Sequence, residues 1–185
     1  MTNKVTQDQV VETALTLLDQ NGLTNVTLKQ VAAQLNIKPP SLYTHIKNLT
    51  ELRALMAQVA LTNLNTQLTQ AVIGLSGRSA IQAAAMAYRD FFQRHPGQAE
   101  LTQQVTSWAN APVAIATSDQ IVGLLTTIVQ QAGLAVPNDI NYVRALRSFL
   151  YGFSTLERQN GFQLDESMDA SFKFGLNLLL AELPE

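Results

Sequence analysis

Residues 38 to 48 read KPPSLYTHIKN and place two ammonium groups, an imidazole, a phenol and two hydroxyls in eleven positions. These groups donate hydrogen bonds or carry positive charge, the properties needed to hold oxyanions and to touch the edges of heterocyclic bases. Nothing around them points to bond-making chemistry. The chain's two histidines, His45 and His95, lie far apart in sequence, without a carboxylate or nucleophile framework. There is no HExxH, no glycine-rich phosphate loop and no metal-ligand spacing. With no cysteine, a thiolate metal site, a cysteine nucleophile and a disulfide framework are all excluded. An enzyme is therefore not expected, and neither a metal nor another cofactor is implied.

The charge distribution singles out the same stretch. Net charge is only -2, but no acidic residue occurs between Asp19 and Glu51, a window that holds Lys29, Lys38, His45 and Lys47. Acids collect at the far end, as Asp165, Glu166, Asp169, Glu182 and Glu185. Binding to a polyanion depends on such placement more than on the net value.

The elements that must position these groups read as helices. Thr6 with Gln9 forms a capping pair, followed by Val10, Val11, Ala14, Leu15, Leu17 and Leu18 and a stop at Asn21 and Gly22. Thr27 with Gln30 starts a second, short helix that should turn sharply at Asn36, because asparagine tolerates positive φ. Pro39 and Pro40 fit only the first turn of a helix, where backbone N–H groups lack intrahelical acceptors. A third helix should thus begin at Lys38 or Pro39 and end near Ile46, with Asn48 and Glu51 capping a long fourth.

Two short helices joined by a tight turn make a helix-turn-helix layout. Leu28, Val31, Leu35, Ile37, Leu42 and Ile46 suffice to pack this unit against Leu15 and Leu18. Thr27, Lys29, Lys38, Pro39, Ser41, Tyr43, Thr44, His45 and Lys47 are left facing outward, as phosphate and base-edge contact requires.

Further helices are expected in AIQAAAMAYRDFFQRH, stopped by Pro96 and Gly97, and in AELTQQVTSWAN, stopped by Pro112. TSDQIVGLLTTIVQQAG should follow, capped by Thr117 or Ser118, and then two more helices. No stretch alternates with period two, so the fold should be all-α with about nine helices. The domain boundary is expected after residue 47: a DNA-binding domain at 1-47 and a larger helical domain at 48-185.

The quoted segment VTLKQVAAQLNIKPPSLYTHIKN resembles the DNA-binding region of the TetR family of bacterial transcriptional regulators. Leu42, Tyr43, Thr44 and His45 match that family's LYxH core, and ALTLLDQNGLTNVTL fits its lead helix. The resemblance implies phosphate contacts from Tyr43, His45 and Lys47, a groove-edge position for Thr27 and Lys29, and base-edge contact from Lys38, Pro39 and Ser41. Leu49 departs from the pattern, since a lysine often stands there. The proline pair is also unusual and shifts base contact toward apolar touch.

Leu150, Tyr151 and Gly152 stand where a WHG-type motif occurs in a C-terminal variant of the family. By the same resemblance the partners are a double-stranded DNA operator and an unidentified small-molecule effector. Family habit favours repression.

Hydrophobic residues form 46% of the chain and charged ones 14%, against roughly 25% charged in an ordinary domain, a first hint of a subunit partner. The last two helices are apolar on more than one face and carry small residues, which fits a homodimer interface through Phe149, Tyr151, Gly152, Phe153, Phe172, Gly175 and Leu179. Burial within one subunit is the alternative.

Tyr88, Phe91, Phe92 and His95, with the single Trp108, are the candidates for holding a small, mainly apolar ligand, although such a stripe is also what an ordinary core looks like. His95, just before Pro96, also suits a helix C-terminal cap. The opening MTNKVTQDQVVE lacks the apolar core of a signal peptide, and the stretch from Ile121 falls short of a membrane span, so a cytoplasmic protein with no membrane partner is expected. The competing function is that of a helical small-molecule-binding protein that never touches DNA.

Overall fold

The computed structural model describes residues 5–184, so Glu185 of the acidic tail lies outside the described residues. Among them are nine α-helices and no strand: α1 (Gln7–Asn21), α2 (Leu28–Gln34), α3 (Pro39–Leu42), α4 (Leu49–Val72), α5 (Gly77–Arg94), α6 (Pro96–Gln103), α7 (Pro112–Gln131), α8 (Asn138–Arg158) and α9 (Met168–Ala181). They cluster into two compact units, one made of Met1–Asn63 and His95–Thr117, the other of Leu64–Arg94 and Ser118–Glu185. The units cut across the boundary expected after residue 47.

In the first unit the N-termini are built as the capping residues dictate. Thr6 accepts from the Gln9 N–H while the Gln9 side chain accepts from the Thr6 N–H, and Thr27 with Gln30 repeats the arrangement. Asn36, at φ 54°, closes α2. Its N–H donates to the Ala33 carbonyl and that of Ile37 to Ala32, the double closure that satisfies the last carbonyls of a helix and reverses the chain within two residues.

The first unit's other main contact sets α6 against α1. Gly97 lies so close to α1 that a Cβ built there would stand 2.4 Å from the Leu18 carbonyl oxygen. Asp19 then caps α6 from another helix: one carboxylate oxygen accepts from the Gln98 N–H at 2.9 Å and the other from its side-chain amide at 2.7 Å.

The second unit packs α5, α8 and α9 around Phe91, Leu146, Phe172 and Leu176. Arg89 is buried there and forks onto Glu157, with Nε at 2.9 Å from Oε2 and a second bond to Oε1, while Nη1 lies 2.7 Å from Asp169 Oδ1. Its guanidinium also sits 4.8 Å above the Phe172 ring centroid. A buried cation held this way costs desolvation but fixes the register of three helices, because its partners sit on α8 and α9.

Three sequence expectations need correction. α3 is a single turn ending at Leu42, because the bonds of Tyr43, Thr44 and His45 close i to i+3 turns and only Ile46 N–H makes an i to i+4 bond, to the Leu42 carbonyl, so regular helix does not reach Ile46. AELTQQVTSWAN is not one helix: α6 starts earlier, at Pro96, and ends at Gln103, followed by a 3₁₀ turn at Val105–Ser107. Pro112 does not stop a helix but starts α7, so Thr117 and Ser118 are no caps, and Thr117 Oγ1 donates back to the Val113 carbonyl. That earlier start makes α7 a 20-residue helix, long and apolar enough by composition to cross a membrane, a test that core helices also pass.

Gly97→Ala should lower the unfolding free energy by about 1–3 kcal/mol by forcing α6 off α1. Gly123→Ala, in open space on α7, should gain up to about 1 kcal/mol. Denaturant melts of both variants check this, and equal midpoints would refute the close packing. Arg89→Ala should cost about 3–5 kcal/mol by stranding Glu157, whereas the apolar pair Arg89→Met with Glu157→Leu should recover most of that loss.

Candidate nucleic-acid interface

Between the closure at Asn36 and the start of α4, the chain is fixed by Leu42 and Ile46, four residues apart and at 0% and 2% exposure. Everything polar between and beside them is pushed outward. Thr27, Lys29, Lys38, Pro39, Ser41, Tyr43, Thr44 and Lys47 are exposed and His45 is half-buried, with Tyr43 the most prominent ring at 59%. The nine residues expected to face outward thus lie on the surface of one unit.

Their local bonding differs. The Thr27 hydroxyl is engaged in the cap of α2, donating to Gln30 Oε1 at 2.7 Å, and Thr44 Oγ1 donates to the Ser41 carbonyl at 2.7 Å. Pro39 and Pro40 present ring carbons and no N–H, so the lead turn of α3 offers apolar contact while Lys38 and Ser41 offer donors.

One positioning residue was not legible beforehand, and a second makes a contact beyond its expected cap. Gln7, at the start of α1, donates its amide to the His45 carbonyl at 2.8 Å and ties down the end of the segment from 38 positions away. No sequence signal carries that contact, since it exists only once α1 packs against the turn. Glu51 was legible as a cap of α4, and its N–H does bond Asn48 Oδ1 at 2.9 Å. Its carboxylate, however, accepts the Lys47 N–H. A negative group therefore sits at the N-terminus of α4, where it favours the helix dipole and competes with any phosphate approaching that end.

The expected ligand residues divide. Tyr88, Phe91 and Phe92 are buried in the second unit, where Tyr88 and Phe92 stack with centroids 4.6 Å apart, whereas His95 and buried Trp108 belong to the first. His95 is not the third member of a stripe on α5. That helix ends at Arg94, and His95 stands at the N-cap position of α6 without a side-chain cap bond, its Nδ1 3.3 Å from Asp19 Oδ2.

The expected dimer residues also divide. Phe172 is fully buried among Arg89, Phe149 and Phe153 of its own unit and presents no surface, whereas Gly175 is half-buried, with the Phe149 ring filling the space a side chain would take. Tyr151 is exposed, and Phe149, Gly152, Phe153 and Leu179 are partly so. Phe174 and Leu178, left out of the expected set, are the large apolar side chains that α9 exposes.

A family model described as the tetracyclin repressor-like, C-terminal domain matches residues 81–179. The chain is 34% identical over 180 residues to an HTH-type transcriptional regulator of Bacillus subtilis called YobS, covering 97% of this chain and 93% of that protein. Among solved structures, BioQ with its natural double-stranded DNA operator aligns over 96% of both chains at 25% identity and a TM-score of 0.69. A protein from Rhodococcus sp. RHA1 shares the fold at a TM-score of 0.86, with 17% identity, over 100% of this chain and 98% of that one. The chain belongs to the TetR family of helix-turn-helix, DNA-binding transcriptional regulators.

Proposed function

We propose that this regulator is a homodimeric repressor that holds a palindromic operator through residues 1-47 and lets it go when a small, mainly apolar molecule binds within residues 48-185. The observation that carries the reading is the exposed segment Lys38 to Lys47, studded with donors and free of acids, anchored by Leu42 and Ile46 in a chain of this family. Phosphate contact falls to Tyr43, His45 and Lys47. Base edges meet Lys38, Pro39 and Ser41, with Thr27 and Lys29 at the groove rim.

A two-fold operator demands two recognition segments about 34 to 36 Å apart, hence a dimer. Tyr151, Leu156, Phe174 and Leu178 supply exposed apolar area on α8 and α9 that supports such pairing. Release follows if the ligand shifts α4 and thereby the spacing of the two reading heads. A coupling of about 1 to 3 kcal/mol would weaken operator binding about 5- to 150-fold. A protein that reads DNA in this way works in the cytoplasm beside the chromosome.

Selection of bound fragments from random DNA should return a palindrome with half-sites one helical turn apart. Recovery of no preferred sequence would sink the reading. On that operator Lys47→Ala should weaken binding to all sequences alike and flatten the salt dependence by about 0.9 in log–log slope. Lys38→Ala should instead relax the preference at one base pair by about 1–3 kcal/mol, and competition titrations against single-base variants separate the two.

A further inference from the structure

His45, Ile46 and Lys47 follow α3 as irregular backbone, and that backbone is tied at both ends by side chains from outside it. The His45 carbonyl accepts from the Gln7 side-chain amide at 2.8 Å, and the Lys47 N–H donates to the Glu51 carboxylate. Between the two ties the Ile46 side chain is sunk to 2% exposure. The N–H groups of His45 and Ile46 both go to the Leu42 carbonyl, at 2.8 and 3.0 Å. The backbone is thus committed, whereas the Lys47 side chain is exposed and that of His45 half-exposed.

Neither tie is needed by the helix that supplies it. Gln7 is an exposed residue in the first turn of α1, whose cap is made by Thr6 and Gln9. In α1 and α2 the side chain three residues into the helix returns to the N–H of the capping residue, Gln9 to Thr6 and Gln30 to Thr27. Glu51 stands three residues after Asn48, which caps it, but its carboxylate passes over Asn48 and takes the N–H of Lys47 instead. Holding the backbone before DNA arrives removes an ordering cost from binding. The Glu51 charge has a second effect, because a phosphate on the Lys47 ammonium stays within the screening length of roughly 10 Å at 0.1 M salt from a carboxylate bonded to that same residue.

We propose that Gln7 and Glu51 are positioning residues for operator binding, which hold His45 and Lys47 ready for the DNA backbone, and that Glu51 also limits affinity by repelling the phosphate that Lys47 engages. Neither residue touches DNA. This rests on the assignment of phosphate contact to His45 and Lys47, and it adds the two groups that set how strong that contact is.

Titration of the full-length protein onto the labelled operator returned by selection, read by fluorescence anisotropy at a series of salt concentrations, tests the proposal. Gln7→Met keeps the length of the side chain but cannot donate. It should bind about 3- to 10-fold more weakly with the log–log salt slope of the parent, since no phosphate contact is lost. Glu51→Gln keeps an acceptor for the Lys47 N–H and removes the charge. It should bind about two- to fivefold tighter at low salt, a gain that fades as salt rises. Glu51→Ala loses the tie as well and should bind more weakly than Glu51→Gln.

A role confined to folding would lower the melting temperature and leave the Kd of the folded fraction, counted by stoichiometric titration, where it was. An unchanged Kd in Gln7→Met therefore overturns its positioning role, and so does a slope flatter by about 0.9, which would make Gln7 a phosphate contact itself. Glu51→Gln binding no tighter than the parent overturns the limit on affinity, and equal binding by Glu51→Gln and Glu51→Ala overturns the tie. Lys47→Ala keeps the two readings apart. If it weakens binding while the Gln7 and Glu51 variants match the parent, the positioning role alone falls, and if it changes neither Kd nor slope, the assignment of phosphate contact falls and takes this proposal with it.

Discussion

The proposed DNA-facing surface depends on two apolar side chains that never reach it. Leu42 and Ile46 pin a stretch of backbone too short to hold itself as helix, since four residues of α3 supply almost no internal hydrogen bonding. The orientation of the donors between and around them is therefore set by burial and not by helical propensity. Because a helix of one turn has no cooperative stability of its own, filling those two anchor sites matters more than any capping residue nearby. Gln7, reaching in from α1, adds a polar tether at the far end of the same stretch.

What could be read in advance was local chemistry. Thr6 with Gln9, Thr27 with Gln30, the left-handed Asn36 and the proline pair at the start of α3 all express preferences of a residue and its immediate neighbours, and the fold honours each. What could not be read was anything decided by a distant partner. Pro112 looks identical in sequence whether it ends one helix or begins the next; in the fold it begins α7, whose first turn buries Ala114 completely. His95 sits at helical spacing from Tyr88, yet Asp19, 76 positions earlier, draws it to the end of another helix. Phe172 is as apolar as Phe174, two positions on, but one is fully buried and the other exposed, a distinction that belongs to the turn of α9 against α8.

The low charge content has a counterpart in how the charges are used. Arg89, Glu157 and Asp169 form a single network, and Asp90 serves both Arg94 and the amide of Gln67. Such groups act as fasteners between helices, and several of the buried hydroxyls are left over from that work. In a family whose members read DNA with one part and sense small molecules with another, a sparse set of fasteners leaves a helical bundle able to repack, whereas a dense one would lock it.

Asp19 belongs to the first helix, and the helix end it stabilises begins at Pro96, so the compact unit that carries the proposed DNA-reading segment is discontinuous in sequence. Transplanting residues 1-47 alone onto the body of another regulator would therefore carry a carboxylate with nothing to cap and leave behind a glycine shaped for a backbone that has gone. A chimera built with both segments, the amino-terminal helices and the stretch around residues 95–117, is the smallest exchange that respects how this molecule is modular.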